Sequence, residues 1–181
     1  SHFSMEPREF AEMASHVKDV KRIIGKSSFA LSGKEKQSLI FRRSVFATSD
    51  IEKGQPFTQH NIRIIRPGYG LKPKYYDSLL GMKAGVAVKR GQPISFGSLG
   101  ENVIMFLTNN DISMDVYRWL AQRENVFLYG DKLTSKLVEK IKPAFIVSYN
   151  YRHIIGRDVI DMMRGKIINL HISLLPWNRD I

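Results

Sequence analysis

The chain has 181 residues, 43% of them hydrophobic, with 28 Lys and Arg against 17 Asp and Glu for a net charge of +11. That length and apolar share suit one or two folded domains and exclude wholesale disorder. The absence of cysteine excludes disulfides, thiolate nucleophiles and thiolate metal sites.

The first predicted element is an amphipathic helix from Ser4 to Ile24. Ser4 is its expected N-cap, Glu6 and Pro7 lie in the first turn, and Phe10, Met13, Val17, Val20 and Ile24 are spaced three and four apart. Gly25 is expected to stop it, and the polar run Lys26 to Gln37 reads as a linker. The apolar stripe has no local partner in the sequence. It packs either on a later domain or on something larger outside this chain.

From about Leu39 to Leu99 the texture changes to short strands punctuated by turns: Val45–Ala47, Ile62–Ile65 and Gly85–Val88, separated by Gly54-Gln55-Pro56, Pro67-Gly68 and Gly91-Gln92-Pro93. This predicts a compact all-β module of about 60 residues, small enough to lean on another domain or subunit. Gly68-Tyr69-Gly70 lacks the third glycine of a dinucleotide fingerprint and reads as a turn.

From Val103 onward strands alternate with helices. Val103–Leu107, Val126–Tyr129, Phe145–Val147 and Ile167–Leu170 are the predicted strands. Between them lie a helix capped by Asp111 or Ser113 and running through Val116, Trp119 and Leu120, a helix from Thr134 to Ile141, and another from Asp158 to Met163. Phe106, Trp119, Phe127 and Phe145 are assigned to the core. Such repetition implies a parallel, doubly wound sheet that binds ligands beyond the carboxyl ends of its strands.

Asn169 and His171 fall at that edge, two residues apart and so on one face of a strand. There an amide donor and an imidazole could converge on one reacting carbonyl and stabilise an oxyanion. The pair also fits a strand end with a capping Asn and a surface His. Tyr149, Tyr151, Arg152 and His153 occupy a loop at the same edge, where they either line a pocket or serve the fold.

The positive charge is concentrated early. Residues 1–100 hold 17 Lys and Arg against 8 Asp and Glu, a net +9, and residues 101–181 hold 11 against 9. Basic residues cluster no more tightly than adjacent pairs such as Arg42-Arg43, with no basic helical stripe interleaved with aromatics, so nucleic acid is not an expected partner. An anionic small molecule suits the basic half. No apolar run approaches the ~20 residues that span a bilayer, and no leader pattern opens the sequence. A cytoplasmic protein with no membrane partner is therefore expected.

Two resemblances add to this reading. Asn169-Leu170-His171-Ile172-Ser173-Leu174-Leu175-Pro176-Trp177-Asn178-Arg179 resembles the signature of the formyltetrahydrofolate-dependent formyltransferases, which include methionyl-tRNA formyltransferase and the sugar N-formyltransferases. The likeness runs from about Val103 to Ile181, and Ser148-Tyr149-Asn150-Tyr151-Arg152-His153-Ile154-Ile155 is most similar to the nucleotide-sugar branch. It implies that Asn169 and His171 are catalytic at the formyl carbonyl and that 10-formyltetrahydrofolate is the formyl donor. The family's Asp, which handles the proton of the attacking amine, would fall beyond Ile181. The family motif continues Arg-Gly where this sequence has Arg179-Asp180-Ile181.

The second resemblance covers about residues 3–99. Ser4-Met5-Glu6-Pro7-Arg8-Glu9-Phe10, Phe41-Arg42-Arg43-Ser44, Asp50-Ile51-Glu52-Lys53-Gly54 and Ile65-Arg66-Pro67-Gly68-Tyr69-Gly70 are similar to the C-terminal part of the sialic acid synthase family, which includes N-acetylneuraminate, legionaminic acid and pseudaminic acid synthases. Its last module is the antifreeze-like, or SAF, domain. The family condenses phosphoenolpyruvate with an N-acylated amino sugar in a (β/α)8 barrel that uses a divalent metal, and the SAF domain of one subunit covers the partner's barrel in a homodimer. The resemblance implies that Arg66 holds the sugar substrate. On residue type alone, Arg66 is one surface arginine among many.

The combined expectation is an α+β two-domain chain. Residues 1–38 are the terminal helix and linker of a barrel, 39–100 an antifreeze-like all-β (β-clip, SAF) module, and 101–181 a partial α/β Rossmann-like formyltransferase domain. Two such pieces are expected to keep separate cores on either side of residues 90–110. No metal ligand is assigned within the chain. Alone it is expected to lack synthase turnover and formyl transfer. The alternative function is a non-catalytic carbohydrate-binding or partner-docking module.

Overall fold

The computed structural model describes residues 5–24, 33 and 38–170. They fall in two compact units, Ser1–Gln37 and Ser38–Ile181. In the first, helix α1 spans Pro7–Ile24. Proline at the first helical position presets φ and gives up an N–H that would have no partner there. The Glu9 carboxylate accepts from the Glu6 N–H at 3.0 Å, half of a capping box. The Glu6 carbonyl in turn accepts the first helical hydrogen bond, from the Phe10 N–H. The expected cap Ser4 and stop Gly25 lie outside the described residues. Phe10, Met13, Val17, Val20 and Ile24 are all exposed.

The second unit opens with β1 (Ser44–Ala47) paired antiparallel to β2 (Ile62–Ile65), from Ser44 opposite Ile65 to Ala47 opposite Ile62. The rest of this half is loops joined by single bridges, such as Ile51 to Val88 and Pro56 to Lys83, with a one-turn helix α2 (Tyr76–Leu79). The expected strand Gly85–Val88 does not form. Val88 exchanges both of its backbone hydrogen bonds with Ile51, whereas the Gly85 N–H bonds to the Ser98 carbonyl. The segment thus changes partner within three residues and builds no ladder.

The other half is a parallel sheet of β3 (Ile104–Leu107), β4 (Val126–Tyr129), β5 (Phe145–Tyr149) and β6 (Ile167–Leu170), in the order β4-β3-β5-β6. Helices α3 (Met114–Ala121), α4 (Ser135–Ile141) and α5 (Arg157–Met162) link the strands. The start of the α3 segment is capped by neither Asp111 nor Ser113. Asn110 supplies the acceptor, its Oδ1 taking the Ile112 N–H at 3.0 Å, because the chain enters through a 3-10 turn at Asp111–Ser113. Side chains alternate across the strands. Phe106, Val126 and Val147 pack on Val116, Tyr117 and Leu120 of α3, while Met105, Leu107, Phe127, Tyr129 and Ile146 face the other way. Trp119 is not a core residue. It sits off the α3 stripe, exposed, with the Arg123 guanidinium 4.4 Å from its ring centre. Phe145 is only partly buried, at the margin of the α3 cluster.

The expectation of separate cores is also corrected. One apolar cluster runs from Val45, Phe57 and Ile94 through Leu99 and Val103 to Met105, Phe127 and Leu137. Tyr75 of the first half packs against Phe127 and Tyr129 of the sheet, with ring centres 5.8 and 6.5 Å apart, and Phe96 meets Phe127 edge to face at 6.0 Å. Polar contacts follow the same seam. The Ser78 hydroxyl donates to the Leu128 carbonyl at 2.7 Å. The Asn125 amide accepts from the Lys83 N–H and donates to the Lys83 carbonyl, both at 3.0 Å. The cause is mutual need. β4 is an edge strand with free backbone groups, and a module of about 60 residues buries too little surface to be self-sufficient.

Candidate functional site

Two places gather chemistry, and the first is the turn carrying Arg66. Ser44, 1% exposed at the start of β1, places its hydroxyl between two backbone groups of that turn, donating to the Pro67 carbonyl at 2.7 Å and accepting from the Gly70 N–H at 2.9 Å. The Gly68 N–H donates to the Ile40 carbonyl at 2.9 Å. A Cβ on Gly68 would collide with the Leu39 carbonyl oxygen, and one on Gly70 with that of Val45. Both glycines are thus required for close backbone approach. The Arg66–Pro67 peptide is cis. On this clamped turn Arg66 is exposed and ion-pairs with no acid among the described residues. Tyr69 beside it is 63% exposed. Ser44 stood in the sequence as part of a motif, but nothing local signalled a clamp, since its partners lie 23 and 26 residues away.

The second is the carboxyl edge of the parallel sheet. The chain leaves β3 toward β4 and leaves β5 toward β6, so a crevice opens between the ends of β3 and β5, the position where such sheets bind ligands. Asn109 and Asn150 tie its walls. The Asn109 N–H donates to the Asn150 carbonyl at 3.2 Å. The Asn109 side chain donates to the Gly130 carbonyl at 2.6 Å and accepts from the Arg152 N–H at 3.2 Å. Asn150, in the left-handed region at φ 51°, donates to the buried Ser113 hydroxyl at 3.0 Å. These asparagines were not singled out in the sequence; the signal was two polar clusters, each directly after an apolar strand.

Tyr151 serves the fold there. Its hydroxyl donates to the Asp131 carbonyl and accepts from the Leu133 N–H at 2.8 Å, and burial pushes its pKa up. The His153 ring packs edge-on to Tyr151 at 5.3 Å, and its Nε2 accepts from the Arg152 Nε at 3.3 Å. Nearby, Lys74 donates to Asp131 at 2.6 Å. That hydrogen bond holds the Asp131 carboxyl below its usual range and raises the Lys74 ammonium.

Asn169 lies exposed on the edge strand β6, in register with Ser148 of β5. His171 lies outside the described residues, so the expected convergence of these two side chains is not described. Asn169 is exposed near the carboxyl end of β6. Among the described residues no three His, Asp or Glu side chains come together to hold a metal ion.

Residues 42–99 match the model of the SAF domain, and residues 108–179 match that of the formyl transferase family. The chain joins a SAF domain to the N-terminal part of a formyltransferase. It is similar to the pseudaminic acid synthase of Campylobacter jejuni, 36% identical over 97 residues, which is 54% of this chain and 28% of that enzyme. It is similar to the methionyl-tRNA formyltransferase of Clostridium tetani, 31% identical over 74 residues, 38% of this chain and 24% of the relative. The formyltransferase PseJ from Anoxybacillus kamchatkensis, solved in complex with UDP-4,6-dideoxy-4-formamido-L-AltNAc and tetrahydrofolate, is 35% identical, over 42% of this chain and 40% of that one, with a TM-score of 0.36. The chain spans little more than a quarter of the length of the pseudaminic acid synthases it matches. In these terms the Ser44-clamped turn belongs to the SAF domain, and Asn169 and the asparagine-tied crevice belong to the formyltransferase domain.

Proposed function

We propose that this chain is the substrate-covering end of a nonulosonic acid synthase, fused to a sugar N-formyltransferase domain. Residues 1–38 would be the last helix and linker of the synthase barrel, 39–100 the SAF domain and 101–181 the formyltransferase part. The observation that carries the reading is Arg66, exposed on a turn that Ser44 fixes and ion-paired with no acid among the described residues. A guanidinium on such a turn is a pre-oriented multi-donor group for the oxygens of an amino sugar or its carboxylated product. In a homodimer it would reach the barrel of the other subunit, where phosphoenolpyruvate and a divalent metal supply the condensation chemistry.

In the second domain the substrate would be a sugar amine, carried on a nucleotide, and 10-formyltetrahydrofolate supplies the formyl group when bound. Asn169 and His171 would hold the formyl oxygen as the amine displaces tetrahydrofolate from the formyl carbon. The test uses the synthase that contains barrel and SAF domain together. Arg66→Ala should raise KM for the amino sugar by about 10- to 100-fold, the loss of one charge-assisted contact, with KM for phosphoenolpyruvate unchanged. An unchanged sugar KM removes Arg66 from the site and the reading with it.

A further inference from the structure

The shared core creates a cleft that neither domain could form alone. It has a volume of about 400 Å3, within the ~300–1,000 Å3 of small-molecule sites. The SAF domain supplies Tyr69, Lys72 and Tyr75, and the formyltransferase domain supplies Lys132, Lys136 and Lys140. Among the described residues no Asp or Glu lines it. The ion pair of Lys74 with Asp131 uses a different lysine, and none of the four lining lysines ion-pairs with an acid among the described residues.

Lys136 and Lys140 are four apart on α4, so their stems lie side by side, an arrangement of like charges that costs helix stability. Lys132 from the loop after β4 and Lys72 from the SAF domain add to the same field. Four lysines lining a cleft with no acid among the described lining residues call for a ligand of two or more negative charges. The other lining is aromatic: Tyr75 is half-buried among Phe96, Phe127 and Tyr129, and Tyr69 stands exposed at the rim.

We propose that this interdomain cleft binds a phosphorylated small molecule bearing a planar ring, the class of a nucleoside diphosphate, with the phosphates on the lysines and the ring on Tyr69 and Tyr75. The site is separate from Asn169. Its lining includes Tyr129 of β4, the edge strand opposite β6, and does not include Asn169. It is also independent of what Arg66 binds.

The test is calorimetric titration of the whole chain with ADP, UDP and inorganic pyrophosphate. Saturable one-to-one binding of ADP or UDP is expected, at least about tenfold tighter than pyrophosphate because of the ring contacts. The double variant Lys136→Gln/Lys140→Gln should weaken it at least about tenfold, with its fold verified by circular dichroism, whereas Lys53→Gln, outside the cleft lining, should leave it unchanged. Tyr69→Ala should weaken the nucleotides and spare pyrophosphate. No saturable binding of any of the three, or equal nucleotide affinity in the double variant, overturns the proposal. Pyrophosphate binding as tightly as the nucleotides overturns the assignment of a ring-bearing ligand.

Discussion

The SAF domain and the formyltransferase domain hold their chemistry in opposite ways. In the first, only two four-residue strands pair, and the Arg66 turn is fixed by a side chain, Ser44, bonded to backbone 23 and 26 residues away. In the second, a regular parallel ladder carries Asn169 and the Asn109 and Asn150 loops to one edge. A site of the first kind rests on single hydrogen bonds. One of the second kind rests on the packing of the whole sheet.

The sharpest way to break the contrast is at the seam, where the two designs depend on the same side chains. Phe127 is fully buried and touches Tyr75 and Phe96 of the other domain. Phe127→Ala should cost about 3–5 kcal/mol and lower the stability of both domains together in urea denaturation. A loss confined to the parallel sheet would show that the aromatic seam does not couple them.

Ser44→Ala addresses the SAF design alone. It leaves the Gly70 N–H and Pro67 carbonyl without their shared partner and should cost about 1–3 kcal/mol. In the synthase it should raise the sugar KM alongside Arg66→Ala, and combining the two should add little. Additive effects on KM would mean that Ser44 does not act through Arg66.

The smallest effect concerns the ion pair across the seam. Asp131 has its pKa depressed in the folded protein, so its contribution is present above the unfolded value of about 4 and is lost as pH falls through the lower folded value. Lys74, raised by the same bond, contributes below about pH 10.4 and loses it as pH climbs through the higher folded value. Asp131→Asn should therefore flatten part of the fall in Tm below pH 4 and leave the rest, since an exposed pair is worth no more than about 1 kcal/mol. An identical Tm–pH curve for the variant would show the pair to be energetically silent.

The same contrast explains what could be read from the sequence. The strands from Ile104 to Leu170 were legible within a residue or two because buried parallel strands are short apolar runs flanked by helix starts. The SAF half was legible through its glycine and proline motifs, whereas its periodicity misled: Gly85–Val88 has strand-like residues but no continuous partner. Trp119 was misplaced because size argues for burial, while helical phase puts Val116, Tyr117 and Leu120 inward. Asn109, Asn150 and Ser44 escaped attention because their roles arise from tertiary hydrogen bonds between positions far apart in the chain. The shared core was hidden for the same reason, since composition gives each module enough apolar residues without saying which faces meet.

The measurement that bears most directly on that core is native-state hydrogen exchange in low urea, followed on peptides from β1–β2 of the SAF domain and from β3–β5 of the formyltransferase domain. One core across the seam predicts that the slowest amides of both sets merge into a single opening with the same free energy and urea dependence. Two separate openings, with the parallel sheet still protected after the SAF strands have exchanged, would contradict it.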